Sequence, residues 1–316
     1  MPDSASGGFP SRRTALRAGL AAALAGAVLP AAGCGPNPPG GTMTVAGGEP
    51  GGFYLEFATL LAGSLRRHGV AADASALETG GSLDNMDRLA RGEATLAIAL
   101  ADAAVQRGGG MAALGKVYEN YVHCVVRTDS GIAAVADLAG NAVAVGDPRS
   151  GTSLTAHRLL DAAGITVRAM PLGLNQGLAA LRSGSVEALF WSGGVPTAAI
   201  AAATKEVSLR LLDLSPLIPA IRAAYGGFYD RVLVQEDSYQ GIPAAWTVGV
   251  ANLLLCREDL GAEVVRATVD LLLQHANELV PASSLGVQFL SPETLINTSG
   301  IPLHPAAEAA YRAFHG

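Results

Sequence analysis

Two patterns of apolar positions alternate along the chain. TMTVAGG (42–48) is a short β-rich run that ends in glycines. After it, Phe53, Phe57, Leu60, Leu61 and Leu65 recur at helical spacing on one face. Arg66, Arg67 and His68 suit the negative end of that helix, and Gly69 stops it. Ser82 is placed to cap a second, shorter helix with Leu83, Met86 and Leu89 inward, ending at Gly92. ATLAIAL (94–100) has the unbroken apolar character of a strand buried on both faces. The same grammar returns at NAVAVG (141–146). There the loop DPRSGT leads into a helix with Ala156, Leu159, Leu160 and Ala163 on one face and Gly164 beyond it. VEALFW (186–191) and VSLRLLDL (207–214) are further strand candidates.

This β-loop-α alternation predicts an α/β protein whose lobes each hold a mostly parallel sheet flanked by helices. No short-period repeat is present; the lobes echo each other only in architecture. Two segments are placed to cross between lobes, YVHCVVR (121–127) and TVGVANLLLC (247–256). That makes lobe 1 residues 43–126 with 248–316, and lobe 2 residues 127–247, with a cleft between them suited to a small ligand. Cys124 and Cys256 fall on the two crossings, as a bonded pair or as buried free thiols; thiols are the simpler expectation.

Composition narrows the classes. Half of the 316 residues are apolar and only 15% are charged, so the chain is long and apolar enough for about two packed domains. Of 21 basic residues only Lys116 and Lys205 are lysines, and no basic block follows residue 17, which removes the footprint of a nucleic-acid binder. Three cysteines without a CxxC, and six histidines none at metal spacing, point to no metal and no cofactor. There is no GxSxG, HExxH or SxxK, so no catalytic residue is assigned and no enzyme is expected.

The N-terminal segment adds an address. SRRTALR (11–17), then AGLAAALAGAVLPAA, then Gly33 and Cys34 follow the order of a signal peptide over residues 1–33. Arg12 and Arg13 with Leu16 resemble a twin-arginine export signal, and AAGC resembles a lipobox. Cleavage before Cys34 would leave a thiol for lipid attachment, with residues 34–42 as a flexible tether. Ordinary cleavage nearby, giving a soluble exported protein, is the alternative. Without residues 1–33 the chain keeps 18 basic and 26 acidic residues. The expected location is extracytoplasmic, on the membrane through a lipid anchor.

Candidate chemistry sits in two glycine-rich loops, GGEPGGFY (47–54) and DPRSGTS (147–153). Each follows a strand and opens a helix, where unpaired N–H groups and the positive helix end favour an anion. Ser150 and Thr152 add hydroxyl donors. Either loop alone could be a tight turn with a helix cap; two at equivalent points of two lobes favour a shared anion site. GGEPGG is neither GxGxxG nor a P-loop, so Glu78, at ribose-acid distance, leaves a nucleotide reading without a fingerprint. Asp102 follows a buried strand, where it could accept from a ligand or cap a helix. Phe190 and Trp191 could cover a ligand's methylene groups or fill the core.

Together, TGGSLDN with GEATLAIALAD, DLAGNAVAVGDPRSGTSLTAHRLLDAAG, FWSGGVPTAAI and IPLHPA resemble the TAXI-type solute-binding subunits of TRAP transporters. The resemblance spans nearly all of the chain after the signal. It implies a type II periplasmic-binding-protein fold that closes on a small carboxylate, a dicarboxylate or acidic amino acid. A TRAP-type permease driven by an ion gradient would then take the solute across the membrane. Carried over, the pocket takes Gly51, Phe53, Tyr54, Ser82, Asp102, Ser150, Gly151, Thr152, Phe190 and Gly194. Three departures stand out. Gly52, Phe53 and Tyr54 replace a Thr-Tyr-Tyr pattern, Leu100, Ala101 and Asp102 replace Gln-Ser-Asp, and Arg149 adds a cation beside the SGT turn. The alternatives are a ligand sensor docking on a signalling receptor and an exported α/β enzyme acting on a small acid.

Overall fold

The computed structural model describes residues 38–281 and 291–316. The export signal and Cys34, with the lipid attachment expected there, lie outside the described residues.

Ten strands among the described residues share one sheet. Of the run at 42–48, Thr42–Ala46 is β1, which lies parallel between β2 (Asp73–Leu77) and β3 (Leu96–Leu100). β3 is buried at all five residues, as its unbroken apolar run requires. β4 (Met111–Arg127) is a long strand through the middle of the sheet. A second parallel set comes next, with β5 (Ala142–Ala144) between β6 (Arg168–Met170) and β7 (Ala188–Gly193). The short β8 (Leu209–Leu211) and β9 (Tyr229–Val234) precede β10 (Ala245–Arg257), which returns beside β4. The order across the sheet is β2-β1-β3-β10-β4-β7-β5-β6, with β8 on β4 and β9 on β10.

Each strand of the two parallel sets leads into a helix. α1 (Phe53–Arg67), α2 (Ser82–Ala90) and α3 (Ala101–Arg107) come after β1, β2 and β3. α4 (Gly151–Ala162), α5 (Leu174–Ser183) and α6 (Ala198–Ala203) come after β5, β6 and β7. Six helix starts therefore stand outside the C-terminal ends of strands. α1 buries Phe53, Phe57, Leu61 and Leu65 against Val45, Leu96 and Tyr118; Leu60 lies at the rim. Each such large side chain removed from water contributes roughly 1.5–3 kcal/mol. Among the described residues no helix is long and apolar enough to cross a membrane.

The two parallel sets appear as expected, and the sheet is mixed in its middle because the chain crosses between them in opposite directions. β4 and β10 are therefore antiparallel to each other and to their other neighbours, β7 and β3. Of the run at 207–214 only Leu209–Leu211 is strand, and it pairs antiparallel with Val125–Arg127, where β10 has left β4 to pair with β9. Cys124 lies opposite Phe190 and Cys256 opposite Ala112. Twelve strand residues separate those two levels of β4, roughly 40 Å at about 3.3 Å each, so both remain buried free thiols.

Candidate functional site

Where the two parallel sets face each other, the starts of α1, α2 and α4 surround a small cavity of about 30 Å3. The loop after β1 contributes Gly48 and Glu49, with Phe53 and Tyr54 from α1. The loop after β2 contributes Gly80, Gly81 and Ser82. Leu100 and Asn120 form the floor, and Ser150, Gly151, Thr152, Trp191, Ser192 and Gly193 close the far side.

The turn before α4 is built by glycine and serine. Gly146 has φ +91, and a Cβ there would lie 2.8 Å from the Thr152 methyl, so only glycine lets the chain turn this tightly. Ser150 caps α4: its hydroxyl oxygen accepts from Ser153 N–H (3.0 Å) and its proton goes to Asp147 O (2.7 Å). The Ser150 hydroxyl is therefore spent on the turn and is not the ligand donor that the sequence suggested. Thr152 differs. Its oxygen accepts from Ser192 N–H (3.1 Å), and no acceptor for its proton is found among the described residues. The Gly151 and Thr152 N–H groups at the same helix start also have no acceptor among the described residues. Two N–H groups, one hydroxyl proton and a helix dipole thus converge on the cavity.

Two other helix starts are filled by the chain itself. Arg149 O accepts from Leu83 N–H and Asp84 N–H, both at 3.1 Å, at the start of α2. Ser82 does not cap this helix; Gly81 is the cap residue. The Ser82 oxygen instead accepts from Leu100 N–H (3.1 Å) and lies 3.2 Å from the Tyr54 hydroxyl, which donates to Asn252 Oδ1. At the start of α5, Glu49 Oε2 accepts from Leu174 N–H (2.8 Å), and Asn175 Nδ2 donates to Pro50 O (2.9 Å). Burial raises the Glu49 carboxyl; Leu174 N–H pulls it back and nearby Asp147 adds to the rise. Asn120, 1% exposed, donates to Ser192 Oγ (3.2 Å), while its Oδ1 has no hydrogen-bond partner among the described residues. A buried acceptor of this kind lining a cavity is costly unless a guest satisfies it.

The far wall rests on a buried relay. Trp191 Nε1–H donates to Thr197 Oγ1 (3.1 Å), and Thr197 N–H donates to the Tyr239 hydroxyl (2.8 Å). Tyr239 O–H lies 2.9 Å from His123 Nε2, and His123 Nδ1 lies 2.9 Å from Tyr121 O. These partners assign the tautomer: Nδ1–H donates and Nε2 accepts, so the ring is neutral. Burial lowers the His123 pKa to about 4.

Of the residues expected in the pocket, Phe53, Tyr54, Ser82, Ser150, Gly151 and Thr152 come together on the cavity wall. Four do not. Gly51 sits at an exposed loop tip beside Ala199. Phe190 is fully buried in the core among β-strand and helix side chains. Gly194 seats the Phe53 ring, which leaves no room for a Cβ. Asp102 faces away: Arg158 (2.9 Å), the Tyr229 hydroxyl (3.0 Å), Thr155 (3.4 Å) and Ala103 N–H (2.8 Å) occupy its carboxylate. Burial pushes the Asp102 carboxyl up, and Arg158 and Tyr229 pull against it. Arg149 also stays off the wall; its side chain is 60% exposed and its guanidinium pairs with Asp84 (3.0 Å). Burial works against the Asp84 charge, but Gly80 N–H, Arg88 and Arg149 outweigh it and hold the carboxyl below its usual range.

Glu49, Asn120 and Ser192 were not singled out in the sequence. Glu49 stands inside GGEPGG, where the glycines carry the pattern, and Asn120 is a lone polar residue in a long strand. Among the described residues, one group brings metal-type donors together: His68, His275 and Glu278. It lies at the end of α1, outside the cavity wall, and Glu278 already accepts from Arg67 and Ser64.

A family model described as the NMT1-like family matches residues 45–313. Among solved structures, a protein from Bordetella bronchiseptica RB50 is similar over 87% of this chain and 98% of its own, at 16% identity and a TM-score of 0.55. The substrate-binding protein of an amino acid ABC transporter is similar over 75% of this chain and 95% of its own, at 13% identity and a TM-score of 0.50. At these identities the likeness is one of fold. The family match runs from β1 into the C-terminal helix, so the chain belongs to the NMT1-like family.

Proposed function

We propose that the chain is an extracytoplasmic solute receptor that closes on a small carboxylate, either a dicarboxylate or an acidic amino acid. The observation that carries this reading is the start of α4, where Gly151 N–H, Thr152 N–H and the Thr152 hydroxyl proton face a cavity with no acceptor among the described residues. Phe53, Tyr54, Ser82, Gly151 and Thr152 would touch the solute, and Ser150 would hold the turn. The halves 43–126 with 248–316 and 127–247 act as lobes joined at β4 and β10. Contacts such as Glu49 to Leu174 and Asp84 to Arg149 would form as they close. The export pattern in residues 1–33 supports delivery across the membrane, with Cys34 as lipid anchor and a TRAP-type permease as receiver of the solute. No catalytic part is assigned to any residue.

The test is to release whatever co-purifies with the protein and identify it by mass spectrometry, then to record X-ray scattering with and without that compound. Closure predicts a smaller radius of gyration at saturation and a higher melting temperature by mass action. An unchanged scattering profile, or turnover of the compound, would overturn the receptor reading.

A further inference from the structure

Three helix starts, those of α1, α2 and α4, surround the cavity, and a fourth, that of α5, meets it through Glu49; they are not equivalent. Arg149 O fills that of α2. The chain's own carboxylate, Glu49, fills that of α5, and Gly173 packs so closely on it that a Cβ would collide with Oε2. α1 begins in the same turn as Glu49, with Gly52 N–H on Glu49 O (3.0 Å), so an anion there would meet that carboxylate. The α4 start keeps two N–H groups and a hydroxyl proton without an acceptor among the described residues. Among those residues, no Lys, Arg or His lines the cavity. On the acceptor side stand Glu49, one oxygen of which is uncommitted among the described residues, and the unpartnered Oδ1 of Asn120.

We infer that the cleft takes one carboxylate, at the start of α4, and that Glu49 selects against a second by demanding a hydrogen-bond donor or cation at the ligand's other end. This inference rests on the carboxylate-receptor reading and narrows it: the anion site at α4 stays, while amide- or amine-bearing monocarboxylates take the place of dicarboxylates and acidic amino acids. Two carboxylates enclosed together with no basic side chain cannot both stay ionised without cost, so one must take up a proton or leave. A donor group facing Glu49 and Asn120 satisfies both instead.

Calorimetric titration at neutral pH with two matched pairs, succinate with succinamate and glutamate with glutamine, decides it. Wild type should bind the half-amide of at least one pair about tenfold or more tightly than its dicarboxylate. Glu49→Gln, checked for folding by its melting curve, should erase or reverse that preference. If wild type prefers the dicarboxylates, or if Glu49→Gln leaves the ratios unchanged while binding persists, the inference falls and the receptor reading stands. If none of the four compounds binds either protein, the small-carboxylate reading fails and takes the inference with it.

Discussion

Thr152 and Asp102 are both polar, both buried and both placed just after an apolar strand, yet their hydrogen bonds give them opposite parts. Thr152 keeps a proton for a guest; Asp102 has spent its oxygens on Arg158, Tyr229 and Ala103. Residue type and position do not reveal this, because the partner of Asp102 lies 56 residues ahead on α4. The same blindness hid Glu49, whose partner is a backbone N–H 125 residues away. Asp102→Ala should therefore act on stability: removing one member of a buried pair strands the other, at about 3–5 kcal/mol. Urea unfolding of the variant should show that loss. A stability equal to wild type would return Asp102 to the ligand.

Elements were more legible than residues. The runs at 42–48 and 94–100 hold β1 and β3, and the helical faces of α1 and α4 appear where their spacing put them, since each pattern is local. Strand direction was not legible, because pairing of β4 with β10 joins residues more than a hundred positions apart. His123 shows what such a crossing strand carries. It fixes β4 to Tyr239 by a bond that exists only while the ring is neutral. Its pKa, lowered by burial to about 4 from an ordinary value of about 6.5, has a definite sign. As pH falls the unfolded chain takes the proton first. The contribution is thus whole above about pH 6.5 and lost on the way to about pH 4, worth about 3 kcal/mol. Unfolding free energies measured by urea between pH 7 and 4 should fall more steeply in wild type than in His123→Gln. That variant should be less stable at pH 7 but flatter in its pH response. Parallel slopes would mean that the ring is already charged or exposed.

At the scale of the whole molecule, the repeated order of strand and helix, with three strand-helix units in each set, brings helix starts from both halves to one cavity. That architecture was readable because five glycine-marked turns and two long apolar crossings leave few ways to close a sheet. The allocation of each helix start was not, since Arg149 O and Glu49 fill theirs only through tertiary contact. The start of α4, unlike those of α2 and α5, keeps its N–H groups without an acceptor among the described residues, and we propose that it recognises the solute. Calorimetric titration of wild type and Thr152→Val with the acid that co-purifies, and with its neutral amide analogue, tests this most directly. The substitution keeps shape but deletes both the free proton and the acceptor of Ser192 N–H, so the melting temperature should drop modestly while affinity of the folded protein for the acid falls about tenfold or more, and wild type should prefer acid to amide at that end. Equal affinities for acid in both proteins, with the amide bound as tightly as the acid, would contradict a carboxylate site at this helix start.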